Sequence, residues 1–181
     1  HFLDGNININ NPMTYEEKIE FYFSDYEKAL ELGKTIGIKV FCGIETTYGG
    51  TDFLVYGLDK KWFLAHPEIM NMKPSDKFTF MRENGALIIQ AHPFREAWYI
   101  DHVRLFQKNI DGFEIMNANR PDEENNLAKI CCEHYGLIKF AGSDNHSASM
   151  QKKLFGVCFE EPICSIEDFI EKAKNGKAEV F

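Results

Sequence analysis

Ala86-Leu87-Ile88-Ile89-Gln90-Ala91-His92-Pro93 is an apolar run of strand length that ends at a histidine and a proline. Five consecutive strand-forming positions without polar alternation predict a strand buried on both faces, the kind found in parallel sheets covered by helices. The pattern around it alternates. Upstream, Thr14 followed by Glu16 and Glu17 opens a helix, with Ile19, Phe23, Tyr26, Leu30 and Ile36 at helical spacing as far as Gly37. Residues 38–45 read as a strand ending in an acid, residues 48–51 as a turn, and residues 52–56 as a second strand. Residues 60–84 read as short helices interrupted by Pro67 and Pro74. Downstream, residues 97–108 read as helix, 112–116 as strand, 122–135 as helix closed by Gly136, and 137–141 as strand. Residues 155–159 read as strand, 165–175 as a helix capped by Ser165, and 178–181 as a last short strand. Residues 1–12 are loop-like and rich in asparagine. Alternation of this kind predicts an α/β fold built of parallel βα units.

The 181 residues suit a single domain spanning 1–181, and a 44% hydrophobic content with 16 Phe and 7 Tyr can fill a sizeable core. The formal net charge of -8 argues against nucleic-acid or anionic-membrane binding through the overall field. It leaves room for a small anionic substrate, because bound metal ions invert the local potential. Cys42, Cys131, Cys132, Cys158 and Cys164 form no C-x-x-C pair, so reduced thiols, buried as small hydrophobes in a cytoplasmic protein, are expected. No apolar run approaches the ~20 residues of a membrane span.

Polar and ionisable residues gather where the predicted strands end: Glu45, His92, Asn117, Asp144 and His146. In α/β barrels that end of the strands builds the active site. Carboxylate and imidazole are hard-to-intermediate ligands that point to Zn, Mn or Fe rather than to a thiolate site, and a carboxylate can bridge two ions. Asp144 and His146 are two apart, so on an extended segment their side chains share a face and can hold one ion or two. Each of these residues taken alone also fits a capping or solvated role. Arg95 can meet an anionic substrate through its fork of donors, or form a surface ion pair with Glu96 or another acid. His66, His102 and His134 fall in predicted helices and read as structural.

In order along the chain, Gly43-Ile44-Glu45, Ala91-His92-Pro93, Asp111-Gly112-Phe113-Glu114-Ile115 and Gly142-Ser143-Asp144-Asn145-His146 resemble the PHP (polymerase and histidinol phosphatase) superfamily. The resemblance implies a distorted (β/α)7 TIM-like barrel holding two or three divalent transition-metal ions, Zn, Mn or Fe, at the strand ends. It implies that Glu45 bridges two ions, that His92 binds the second, Asp144 the first and His146 the third. The family's H-x-H motif occurs nowhere in the chain. The resemblance therefore implies a fragment that begins at the end of the second barrel strand and lacks the first one or two strands. His1 then looks like the terminal histidine of the second motif, with a residual tag residue as the rival reading. Asp52 stands roughly where many relatives place a histidine, either replacing it as an oxygen ligand or leaving the second ion less well held. Asn117 looks like a supporting or substrate contact.

The function implied is a metal-dependent phosphoesterase that hydrolyses a small phosphorylated substrate with metal-activated water, either histidinol-phosphatase-like or nucleotide-phosphodiesterase-like. Glu45, Asp144 and Arg95 are expected to carry catalysis, with Arg95 orienting the phosphate. Residues 46–51, 94–100 and 118–123 are expected to line the pocket. Nucleic acid is expected only as a nucleotide-type substrate, and no membrane partner is expected. The alternatives are a non-catalytic PHP scaffold that binds metal or phosphate, and an amidohydrolase-like enzyme that cleaves C–N bonds.

Overall fold

The computed structural model describes residues 13–147, 149 and 153–181. Helix α1, Tyr15–Ile36, starts at a reciprocal cap. The Thr14 hydroxyl accepts from the Glu17 N–H at 3.2 Å, and the Glu17 carboxylate accepts from the Thr14 N–H at 2.8 Å. Strands β1, Gly43–Tyr48, and β2, Thr51–Tyr56, form a hairpin through Gly49-Gly50. Both glycines have positive φ, 56° and 80°, which a tight two-residue turn requires and which costs a residue without Cβ little. The first strand begins later than residue 38, because its partner runs out. Gly43 pairs with Tyr56, after which Gly57 turns the chain away, leaving residues 38–42 outside the ladder.

Helix α2, Lys60–Ala65, a 3-10 turn, Pro67–Asn71, and helix α3, Pro74–Glu83, follow. Both prolines open their segments, where the missing N–H has no partner to lose. Strand β3 is Leu87–Gln90, β4 is Gly112–Asn117, helix α4 is Asp122–Tyr135 and β5 is Ile138–Gly142. The chain ends with β6, Val157–Cys158, helix α5, Ile166–Lys174, and β7, Glu179–Val180. Ser165 caps α5, and Gly136 follows α4, as the sequence indicates.

The main sheet has the order β1-β2-β3-β4-β5, and β6 pairs with β7 separately. Only β3, β4 and β5 run parallel; β1 with β2 and β2 with β3 are antiparallel. The architecture is thus mixed α/β rather than a succession of parallel units, because the two-glycine hairpin reverses the chain with no room for a crossover. Among the described residues the sheet is open and does not close into a barrel. Residues 97–108 do not form the expected helix. Their backbone is claimed by side chains instead: Gln90 donates to the Arg104 carbonyl at 2.6 Å and accepts from the Phe106 N–H at 3.1 Å.

β3 is buried on both faces, as its sequence requires. Ile88 joins Phe53, Val55 and Phe113 in the core that α1 and α3 complete through Ile19, Phe23 and Phe78. Leu87 and Ile89 point the other way, with Phe140, Leu54 and Tyr56, toward Phe169, Ile170 and Ala173 of α5. Cross-strand partners share a face. Glu45 lies opposite Leu54, and Thr47 opposite Asp52. Both acids therefore project on the Leu54–Tyr56 side of the sheet, and Glu114, opposite Phe140, projects there too.

Candidate metal centre

Three of the residues singled out from sequence converge. One ligand atom each from Glu45, Asp52 and His92 lies within 4.8 Å of the others. His92 Nε2 is 3.8 Å from Glu45 Oε1 and 3.6 Å from Asp52 Oδ2. Donors about 2.1 Å from a tetrahedral ion lie roughly 3.4 Å apart, so the two His92 distances need shorten by only a few tenths of an ångström for its ring to share an ion with either carboxylate. The donor set fits a divalent transition metal on chemistry as well as spacing. Burial holds the His92 ring below its ordinary pKa, with Asp52 pulling the other way, so the imidazole is neutral and able to ligate at neutral pH.

The remaining expected ligands stand around this trio rather than in it. Asp144, just past the end of β5, is largely sheltered, and His146 near it is exposed, with its Nδ1 2.9 Å from the Asp144 carbonyl. The Asp144 charge reaches the same site, for it raises the pKa of Glu45 and of Glu114 and counters the lowering at His92. Glu45 is pushed up to about 7, first by burial and then by the Asp52 and Asp144 charges. His1 lies outside the described residues. Arg95 sits inside the site, its Nη1 3.1 Å from Asp52 Oδ2, and its Nη2 donates to the Tyr99 hydroxyl. A shallow recess at His92 is lined by Gly50, Thr51, Arg95, Ile100 and Arg104.

Below the trio lies a residue that the sequence reading passed over as a strand marker. Glu114 is buried in the middle of β4, and its Oε2 accepts from the His92 N–H at 2.9 Å and from Asn117 Nδ2 at 3.0 Å. Burial, before any neighbouring charge, pushes its carboxyl up to about 7. Gly142 makes room for it, since a Cβ there would stand 2.6 Å from Glu114 Oε1. The signal was present in the sequence: an acid inside the apolar stretch Gly112-Phe113-Glu114-Ile115 has no solvent to face. Asn117 is itself fully buried, its Oδ1 accepting from the Asn119 N–H at 2.9 Å.

His92 and Asp144 are the only non-glycine residues with positive φ among the described residues, 27° and 46°. Such backbone costs of order 1–3 kcal/mol and persists where its surroundings enforce it. Here they do. The His92 N–H is held by Glu114 and its carbonyl accepts from the Arg95 N–H at 2.9 Å, while Asn119 Nδ2 donates to the Asp144 carbonyl. One network, running from buried Glu114 and Asn117 to exposed Asn119, thus fixes both strand-end turns.

No family model matches the sequence, and no curated protein matches it either. Solved structures do. A two-domain protein from Bacteroides vulgatus containing a predicted PHP-like metal-dependent phosphoesterase superposes with a TM-score of 0.65 at 16% identity over 88% of this chain. This chain spans 49% of that protein's length. A candidate metal-dependent phosphoesterase from Bifidobacterium adolescentis superposes with a TM-score of 0.52 at 11% identity, over 89% of this chain and 82% of its own. At such identities the likeness is one of fold: this chain shares the fold of a protein containing a predicted PHP-like metal-dependent phosphoesterase and of a candidate metal-dependent phosphoesterase.

Proposed function

We propose that this chain carries the greater part of the metal centre of a hydrolase acting on small phosphate esters. The observation that carries the reading is the convergence of Glu45, Asp52 and His92 within 4.8 Å, on one face of the sheet and beside two clamped, left-handed strand ends. Fold likeness to metal-dependent phosphoesterases supports it. In this reading Glu45, Asp52 and His92 hold a divalent ion, with Asp144, His146 and His1 extending the donor set to two or three ions of Zn, Mn or Fe. When bound, such ions supply Lewis-acid polarisation of a phosphoryl oxygen and acidify water at the site. Glu114 and Asn117 keep His92 in its ligating pose, and Arg95 orients the phosphate. The same proposal takes the open sheet as one wall of a distorted (β/α)7 barrel in a single domain, and takes the five free cysteines as fitting a reducing, cytoplasmic setting.

Metal content by mass spectrometry, together with phosphate release from a generic aryl phosphate, tests the reading. At least two transition-metal ions per chain and measurable turnover are expected. Glu45→Gln, His92→Ala and Asp144→Asn should each remove turnover while leaving the fold in place. Amide hydrolysis without phosphatase activity would sink the phosphoesterase reading in favour of a C–N hydrolase. A second reading has its own observation. The Arg95 guanidinium on Asp52 places a fixed positive charge where an ion would act, which suits a non-catalytic phosphate-binding scaffold. Phosphate binding with no bound metal and no turnover would favour it.

A further inference from the structure

Both oxygens of Asp52 are engaged by protein groups. Oδ1 accepts from the Thr47 hydroxyl, and Oδ2 is ion-paired with Arg95 Nη1 at 3.1 Å without an aligned hydrogen bond. That same Oδ2 is the oxygen 3.6 Å from His92 Nε2, the one turned toward the other two donors of the candidate centre. A cation held by Glu45, Asp52 and His92 must therefore contend with the Arg95 guanidinium for a single oxygen. Water screens the contest little, for the Asp52 side chain is 1% exposed and that of Arg95 17%. Two positive charges on one buried carboxylate oxygen repel each other, and the guanidinium is the one that can leave. It has a second anchor to pivot on, because its Nη2 donates to the Tyr99 hydroxyl and its Cζ lies 5.5 Å from the centre of the Tyr99 ring. It also carries an unused donor, since Nε is buried with no hydrogen-bond partner among the described residues.

We propose that Arg95 is a latch on the metal centre. It holds Asp52 while no ion is bound; occupancy of the centre drives it off Oδ2; and the released fork, tethered at Tyr99, presents Nη1 and Nε to a phosphate group. This inference rests on the metal-centre reading above and adds to it a coupling between ion and anion. Linkage makes the coupling reciprocal: the factor by which the ion tightens phosphate binding equals the factor by which phosphate tightens ion binding.

Titration calorimetry of metal-stripped protein with Mn2+ alone, and with Mn2+ in the presence of inorganic phosphate, tests it on the wild type, Arg95→Gln and Tyr99→Phe. Arg95→Gln should bind Mn2+ about tenfold tighter than wild type, within the usual range of such couplings, and should lose the enhancement by phosphate. Tyr99→Phe, at a half-exposed ring that a fold tolerates, removes the tether of the released fork and should leave Mn2+ affinity near that of wild type while reducing its enhancement by phosphate. The sign separates the latch from a merely structural role, which would weaken ion binding on removal, and the loss of the phosphate enhancement separates it from simple charge repulsion. Unchanged or weaker Mn2+ binding by Arg95→Gln overturns the latch while leaving the metal reading intact. Binding by Arg95→Gln but not by wild type overturns both, because in the native chain the ion would then never displace the guanidinium. Binding by no variant overturns both.

Discussion

Replacing Glu114 by alanine should destabilise the protein by about 2–4 kcal/mol at pH 7. The side chain is the acceptor for two buried donors, the His92 N–H at 2.9 Å and Asn117 Nδ2 at 3.0 Å. Each donor left buried without a partner costs about 1–3 kcal/mol, so the pair sets a range of roughly 2–6. Against this stands relief from burying a carboxylate. Its pKa is pushed up to about 7 by burial, so the ionised form is itself disfavoured and removing it returns part of the loss. For a chain of this size the net figure corresponds to a fall in Tm of roughly 5–15 °C. Glu114→Gln keeps one oxygen facing both donors and should cost about 1 kcal/mol or less. Urea denaturation of the metal-free protein at pH 7, followed by circular dichroism, measures both. The support role is wrong if the alanine variant loses less than about 1 kcal/mol, or if the glutamine variant loses as much as the alanine one.

Four further outcomes follow from the same geometry. Glu45 and Glu114 titrate at about 7 in the fold against an ordinary 4.5, so between those values the folded chain holds the extra protons and metal-free stability should fall as pH rises from about 4.5 to 7. A ligating Glu45 must shed its proton, so Mn2+ affinity should climb over that range by at most about tenfold per pH unit; calorimetry showing affinity flat with pH would remove Glu45 from the ligand set. Gly142→Ala puts a methyl group 2.6 Å from Glu114 Oε1 and should cost about 1–3 kcal/mol, with most of that loss absent in a Glu114→Ala background; additive losses in a denaturation cycle would exclude the contact as the cause. Phe53→Ala empties a site where the Phe78 and Phe106 rings stand 4.4 and 5.1 Å away and should cost about 3–5 kcal/mol, read from the urea midpoint.

The sequence by itself determined what depends on neighbours along the chain. The Thr14 cap, the prolines at the heads of their helical segments, the Gly49-Gly50 turn, the doubly buried β3 and the positions of α4 and α5 are all local consequences of propensity, capping and periodicity. So was the choice of Glu45 and His92, which stop apolar runs, whereas Asp52 came only from the family resemblance and Glu45 lies inside β1 rather than at its end. Tertiary structure alone decided how those pieces address one another. Alternating elements do not encode strand direction, and the hairpin made two of the four pairings antiparallel and left the described sheet open. Side-chain bonds from Gln90 drew residues 97–108 out of their helical pattern. Burial turned Glu114 from an ordinary strand residue into the acceptor that fixes His92, because a carboxylate's role depends on what surrounds it in space. The same holds for Arg95. Three residues from the histidine it could pair with any nearby acid, and only the fold brought it to the Asp52 oxygen that an ion would need.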